Sequence, residues 1–178
     1  MKQLIAFNDI NDQTRQILYR LSLVSIVAAL DTLISDLVIF AVSRDSDLFL
    51  KVVNLLYSGT YKASILERIL HMWCDNTLDS AEQEVFESIL KKSYSSCKEI
   101  KNYLKQIYGI RISMSEKLEE VIHIRHIVAH RNGRLKDGSY YILTKDDLLS
   151  IITEVCNFVE SLRGPISKCS LDKYRLNK

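Results

Sequence analysis

Residues 11–43 read NDQTRQILYRLSLVSIVAALDTLISDLVIFAVS, without one glycine or proline. So long a run with no breaker and with apolar residues in every turn predicts a single helix over about 11–43. Ile17, Leu21, Val24, Ala28, Asp31, Ser35 and Val38 fall at alternating steps of four and three, and are expected to form its packed stripe. The window 24–42 is apolar enough to raise a membrane span, but it contains Asp31 and Asp36. A central aspartate costs about 2.5–3.5 kcal/mol on insertion scales, which favours the core helix of a cytoplasmic protein with no membrane partner.

The rest of the chain follows the same pattern. It has 178 residues, five glycines and one proline. That length suits one domain, and so few turn residues leave little room for strands. Apolar periodicity predicts helices over about 46–58, 60–74, 80 onward, 113–131 and 144–163. Ser80-Ala-Glu-Gln83, Ser113-Met-Ser-Glu116 and Thr144-Lys-Asp-Asp147 read as capping boxes. The stretch after Ser80 either continues to Tyr108 or breaks near Ser93 to Ser96. Asn132-Gly133 should end one helix, with a turn and a short extended piece over 134–143, and Gly164-Pro165 should stop the last. The expected architecture is an all-α, up-and-down helical bundle of five to six helices. Residues 1–165 would form a single domain, followed by a mobile tail over 166–178.

Several function classes are disfavoured at once. Residues 1–15 lack the apolar core of a signal peptide. Cys74, Cys97, Cys156 and Cys169 form no C-x-x-C pair and no zinc spacing, so reduced thiols and no metal are expected. A net charge of +2 provides no general polyanion coat.

Local charge is another matter. No acid lies between Glu120 and Asp137, whereas Arg125, Arg131, Arg134 and Lys136 do, together with His123, His126 and His130. A solvated basic face is the ordinary meaning of such a run. Arg125 argues for more, because Leu118, Val121, Arg125 and Val128 share one stripe. An arginine set among apolar positions needs a carboxylate, another chain or an anionic ligand. Asp31 has the mirror problem on the first helix, so it is expected to face and orient Arg125; an ion pair with no ligand is the plainer alternative. His126 and His130, four apart, project together within roughly 40°. One arginine and two imidazoles at a helix end can grip a phosphodiester and move its protons.

Arg125-His126-Ile-Val-Ala-His130 resembles the motif of HEPN-domain ribonucleases, in which arginine is followed by Asn, Asp or His, then three residues, then histidine. The resemblance extends to Ala29-Leu30-Asp31 on the early helix, the polar exit His130 to Gly133 and a closing amphipathic helix. It implies a domain that homodimerises, so that two motifs line a shared cleft. It also implies a metal-independent endoribonuclease, without cofactor, that leaves a 2′,3′-cyclic phosphate and serves as a toxin or phage-defence effector with an antitoxin or other partner protein. Carried over by position, Arg125 would hold the scissile phosphate, His130 would be the main acid and base, and His126 the polar partner. His123, Arg131, Asn132, Arg134 and Lys136 would bind RNA. One subgroup carries a modifiable tyrosine two places after the last histidine; here that place is Asn132, which argues against that scheme. Some members do not cut, so a non-catalytic module that binds RNA or a nucleotide, or docks a partner, is the alternative, and a purely structural interaction domain a third.

Overall fold

The computed structural model describes residues 11–57, 67, 71, 78–92 and 96–176. Six helices are found among them: α1 (Asp12–Val42), α2 (Ser46–Leu56), α3 (Leu78–Lys91), α4 (Cys97–Tyr108), α5 (Glu116–Arg131) and α6 (Lys145–Leu176). The helix expected over 60–74 lies outside the described residues, apart from Glu67 and His71, which are helical. The fold is an all-α bundle.

α1 is its axis. Asn11 opens it by accepting from the Thr14 N–H at 2.8 Å. At 1.5 Å per residue α1 is about 46 Å long, and it packs against each of the other five helices. Its buried line is Arg20, Leu23, Val27, Leu30, Ile34 and Val38. The stripe expected from sequence is therefore wrong in its N-terminal half, since Ile17 is 44% exposed, Leu21 is 59% exposed and Ala28 also faces out. Nearly every turn of this helix is apolar on two sides, so two seams satisfy the same spacing and packing chooses between them. From Ser35 onward the expected stripe does join the core.

The stretch after Ser80 breaks. α3 ends at Lys91, and Ser96 caps α4 by accepting from Glu99 N–H. The helix already includes Leu78, so Ser80 falls inside α3 and not ahead of it. α5 is capped two residues later than expected, at Ser115, whose Oγ accepts from Leu118 N–H at 3.1 Å. Met114 enters the core, which keeps the chain extended up to Ser115. Tyr108 donates to the Leu37 carbonyl at 2.6 Å and Lys101 pairs with Glu119 at 2.6 Å, so α4 is tied to both α1 and α5.

Thr144 and Asp147 cap α6 reciprocally: each side-chain oxygen accepts the other residue's backbone N–H, at 3.1 and 2.9 Å. α6 does not stop at Gly164-Pro165 but runs on to Leu176. Proline removes one backbone hydrogen bond. Leu162, 2% exposed, and Ile166, packed on the same core, lie four apart across the break and keep the helix seated. Residues 166–176, read from sequence as a tail, are thus a continuation of α6.

Candidate functional site

The site grows from the last two turns of α5. Leu118, Val121, Ile122, Ile124 and Val128 bury the inner face of this helix. Arg125 lies at the edge of that face and turns toward α1. Its Nη2 donates to Asp31 Oδ2 at 3.2 Å, with side chains 13% and 18% exposed. Two charges that each border a buried apolar face therefore meet, and each offsets the desolvation of the other.

His126 and His130 stay on the exposed side. Their ring centroids are 4.5 Å apart and the planes are tilted by 51°. The four-residue spacing sets that proximity. The motif is thus divided: its arginine is held inward by a carboxylate, and its two imidazoles face solvent as a pair.

His123, one turn earlier on α5, is also exposed. It lines an open cavity of about 470 Å³ with Ser96, Cys97, Lys98, Lys101, Glu119 and Ile122. Burial, and then the Glu119 carboxylate, push the Cys97 thiol up, which keeps it protonated and a poor nucleophile.

Past His130 the helix ends through Asn132 (φ 50°) and Gly133 (φ 78°), whose N–H returns to the Ile127 carbonyl. A short ribbon follows. Arg134 and Tyr140 form an antiparallel bridge, and Tyr141 N–H donates to the Gly133 carbonyl at 2.8 Å. Asp137 closes the turn by accepting from Ser139 N–H and Oγ–H, which holds its carboxyl below the ordinary range. Arg131, Asn132, Arg134 and Lys136 are all exposed, and all belong to the end of α5 or to this ribbon.

Two α1 residues absent from the sequence reading bolt the ribbon down. Gln16 pairs with the Leu143 backbone in both directions, Nε2 donating at 2.7 Å and Oε1 accepting at 3.0 Å. Arg20, 8% exposed, donates from Nη2 to the Tyr141 carbonyl at 3.2 Å and stands 5.2 Å from the Tyr140 ring centre. Gly133 makes room for it, since a Cβ there would lie 2.8 Å from Arg20 Nε. Arg20, Leu23, Val27 and Leu30 share one spacing, so the argument that singled out Arg125 would have singled out Arg20 had the correct seam been chosen. Burial, with Glu120 and Asp147 nearby, pushes the inward-facing Tyr141 phenol up.

Among the described residues no three His, Cys, Asp or Glu side chains cluster as a metal would require. The groups present suit an anion: guanidinium forks bind phosphate oxygens, and paired imidazoles exchange protons.

A family model described as RiboL-PSP-HEPN matches residues 1–167. Neither a curated protein nor a solved structure matches the chain.

Proposed function

The chain belongs to the RiboL-PSP-HEPN family, and from that premise we propose that it is a metal-independent endoribonuclease of the cytoplasm, a toxin or phage-defence effector that works as a homodimer. The observation that carries this reading is the exposed His126–His130 pair, 4.5 Å apart, on the helix that also presents Arg125.

The chemistry follows from these groups. RNA brings its own nucleophile. His130 takes the proton of a 2′-hydroxyl, the 2′-oxygen attacks phosphorus, and the bond from phosphorus to the 5′-oxygen breaks. The leaving oxygen regains that proton from the protonated His130 imidazole, which can take and give one near neutral pH, while His126 is the polar partner that positions substrate or base. Arg125, oriented by Asp31, supports the charge that builds on the non-bridging oxygens. Arg131, Asn132, Arg134 and Lys136 hold the flanking backbone. The products are a 2′,3′-cyclic phosphate and a 5′-hydroxyl.

The test is incubation of purified protein with total RNA in EDTA, followed by end-group analysis. Wild type should leave cyclic phosphate ends. Arg125→Ala and His130→Ala should abolish cleavage with unchanged circular dichroism. An active His130→Ala variant would overturn the assignment.

A second reading draws on one observation, the low exposure of the Arg125 side chain. In a non-catalytic module that binds RNA or a nucleotide, or docks a partner, Arg125 and Asp31 would be a structural pair. Binding would then be salt-sensitive through Arg131, Arg134 and Lys136, with no product formed.

A further inference from the structure

The ribbon after α5 has two faces. Tyr141 and Leu143 point inward, Leu143 being 1% exposed, while Tyr140 and Ile142 point outward at 51% and 61%. Behind Tyr140 stands Arg20, whose guanidinium carbon is 5.2 Å from the ring centre. Arg20 is more than nine-tenths buried, no carboxylate pairs with it among the described residues, and its Nε has no hydrogen-bond partner there. What compensates its charge is the Tyr141 carbonyl, the face of the Tyr140 ring and the carbonyl end of α5 beside Gly133.

This is a costly way to support one surface tyrosine. It leaves an aromatic ring with one face fixed against a buried cation and half its surface open. Arg134, its partner across the bridge, and Lys136 put two exposed cations on the same ribbon. A rigid exposed ring flanked by guanidinium and ammonium groups suits the two parts of a nucleotide, a flat base and a charged phosphate. Pre-fixing the ring removes the ordering cost of stacking on it.

We propose that Tyr140 is a stacking platform for one unpaired nucleobase of the RNA, with Arg134 and Lys136 meeting the phosphates beside it. The ribbon begins three residues after His130, and the proposal assigns the base held there to a nucleotide flanking the scissile phosphate. The proposal rests on the reading of the chain as RNA-binding and assigns that reading a subsite. Stacking tolerates any base, so this contact selects single strands over duplexes more than one base over another.

The probe is an uncleavable single-stranded 2′-O-methyl oligonucleotide carrying 2-aminopurine, titrated against the full chain. Binding to wild type should quench the fluorophore when it occupies the platform. Tyr140→Leu should weaken binding about 5- to 100-fold and remove the quench, while Tyr140→Phe should retain both. Arg134→Ala should lower the salt dependence of binding by about one phosphate contact, which Tyr140→Leu should not do. Circular dichroism confirms that these exposed-site variants are folded. Equal binding by wild type and Tyr140→Leu overturns the subsite; if wild type still cuts RNA, the proposed function survives. Tyr140-dependent quenching without cleavage keeps the subsite and removes the nuclease reading. A wild type that does not bind the probe at all overturns the subsite, and if it also fails to cut RNA the functional reading falls with it.

Discussion

Arg125 Nη2 and Asp31 Oδ2 lie 3.2 Å apart and join α5 to α1 through side chains only 13% and 18% exposed. Removing one partner of a fully buried pair costs ~3–5 kcal/mol, and the residual solvent here lowers that figure. Asp31→Ala should lose about 1–3 kcal/mol in urea unfolding, and Asp31→Asn less, because the amide oxygen still accepts from Arg125. Asp31→Asn should also retain more RNA cleavage than Asp31→Ala. Equal stabilities for wild type and Asp31→Ala would show that the pair does not hold the guanidinium.

Gly133 and Gly109 both have positive φ, 78° and 68°, but only Gly133 is crowded, with Arg20 Nε 2.8 Å from the position of a Cβ. An alanine in the left-handed region costs about 1–2 kcal/mol. Gly109→Ala should show that cost alone, whereas Gly133→Ala should exceed it by displacing Arg20 from Tyr141. At roughly 2–4 °C per kcal/mol for a chain of this size, paired thermal melts separate the two.

These two positions also show what was legible beforehand. Asn132-Gly133 marks the end of α5 because only left-handed conformations close that helix. The ends of α1 and the Thr144–Asp147 cap follow equally from local chemistry, and the meeting of Asp31 with Arg125 follows from two charges that each need a partner away from water. The facing direction of the N-terminal half of α1 does not, since leucines and isoleucines on two sides make both seams apolar and only tertiary packing chooses. That ambiguity hid Arg20 and Gln16, and with them the anchoring of the ribbon. Ser113 and Ser115 offer two caps, and the choice depends on Met114 reaching the core. The continuation past Pro165 depends on Ile166 finding a neighbour in space.

Hydrogen bonds from Thr144 hold the Asp147 carboxyl below its ordinary value of 3.8. A depressed folded pKa contributes stability above the unfolded value and loses it as pH falls through the folded one. Wild type should therefore be more stable than Asp147→Asn at pH 7, by no more than about 1 kcal/mol for a cap. The gap should close below about pH 3.8. A difference that persists undiminished at pH 2.5 would show that the charge of Asp147 is not what caps α6.

His126 and His130 are in ring contact but are assigned different tasks. His130→Ala should remove cleavage almost wholly, since general acid–base catalysis contributes about 10²–10⁴-fold. His126→Asn keeps a polar group at that place and should retain more activity than His126→Ala. Single-turnover rates in EDTA discriminate; equal losses in both His126 variants would assign proton transfer, not positioning, to His126.

The outward half of α1 carries Ile17 and Leu21, 44% and 59% exposed and four residues apart, on the same turns as Gln16 and Arg20, which hold the ribbon. An apolar face beside the residues that anchor the ribbon is a candidate seam for the proposed homodimer, since it gains by leaving water. Leu21→Glu places a charge there and, at an exposed site, should shift folding stability by less than about 0.5 kcal/mol. It should turn a dimer into a monomer in sedimentation, and cleavage should fall in parallel if the cleft needs both copies. A Leu21→Glu protein that remains dimeric and active puts the seam elsewhere; a monomer that still cuts at full rate shows that each chain holds a complete site.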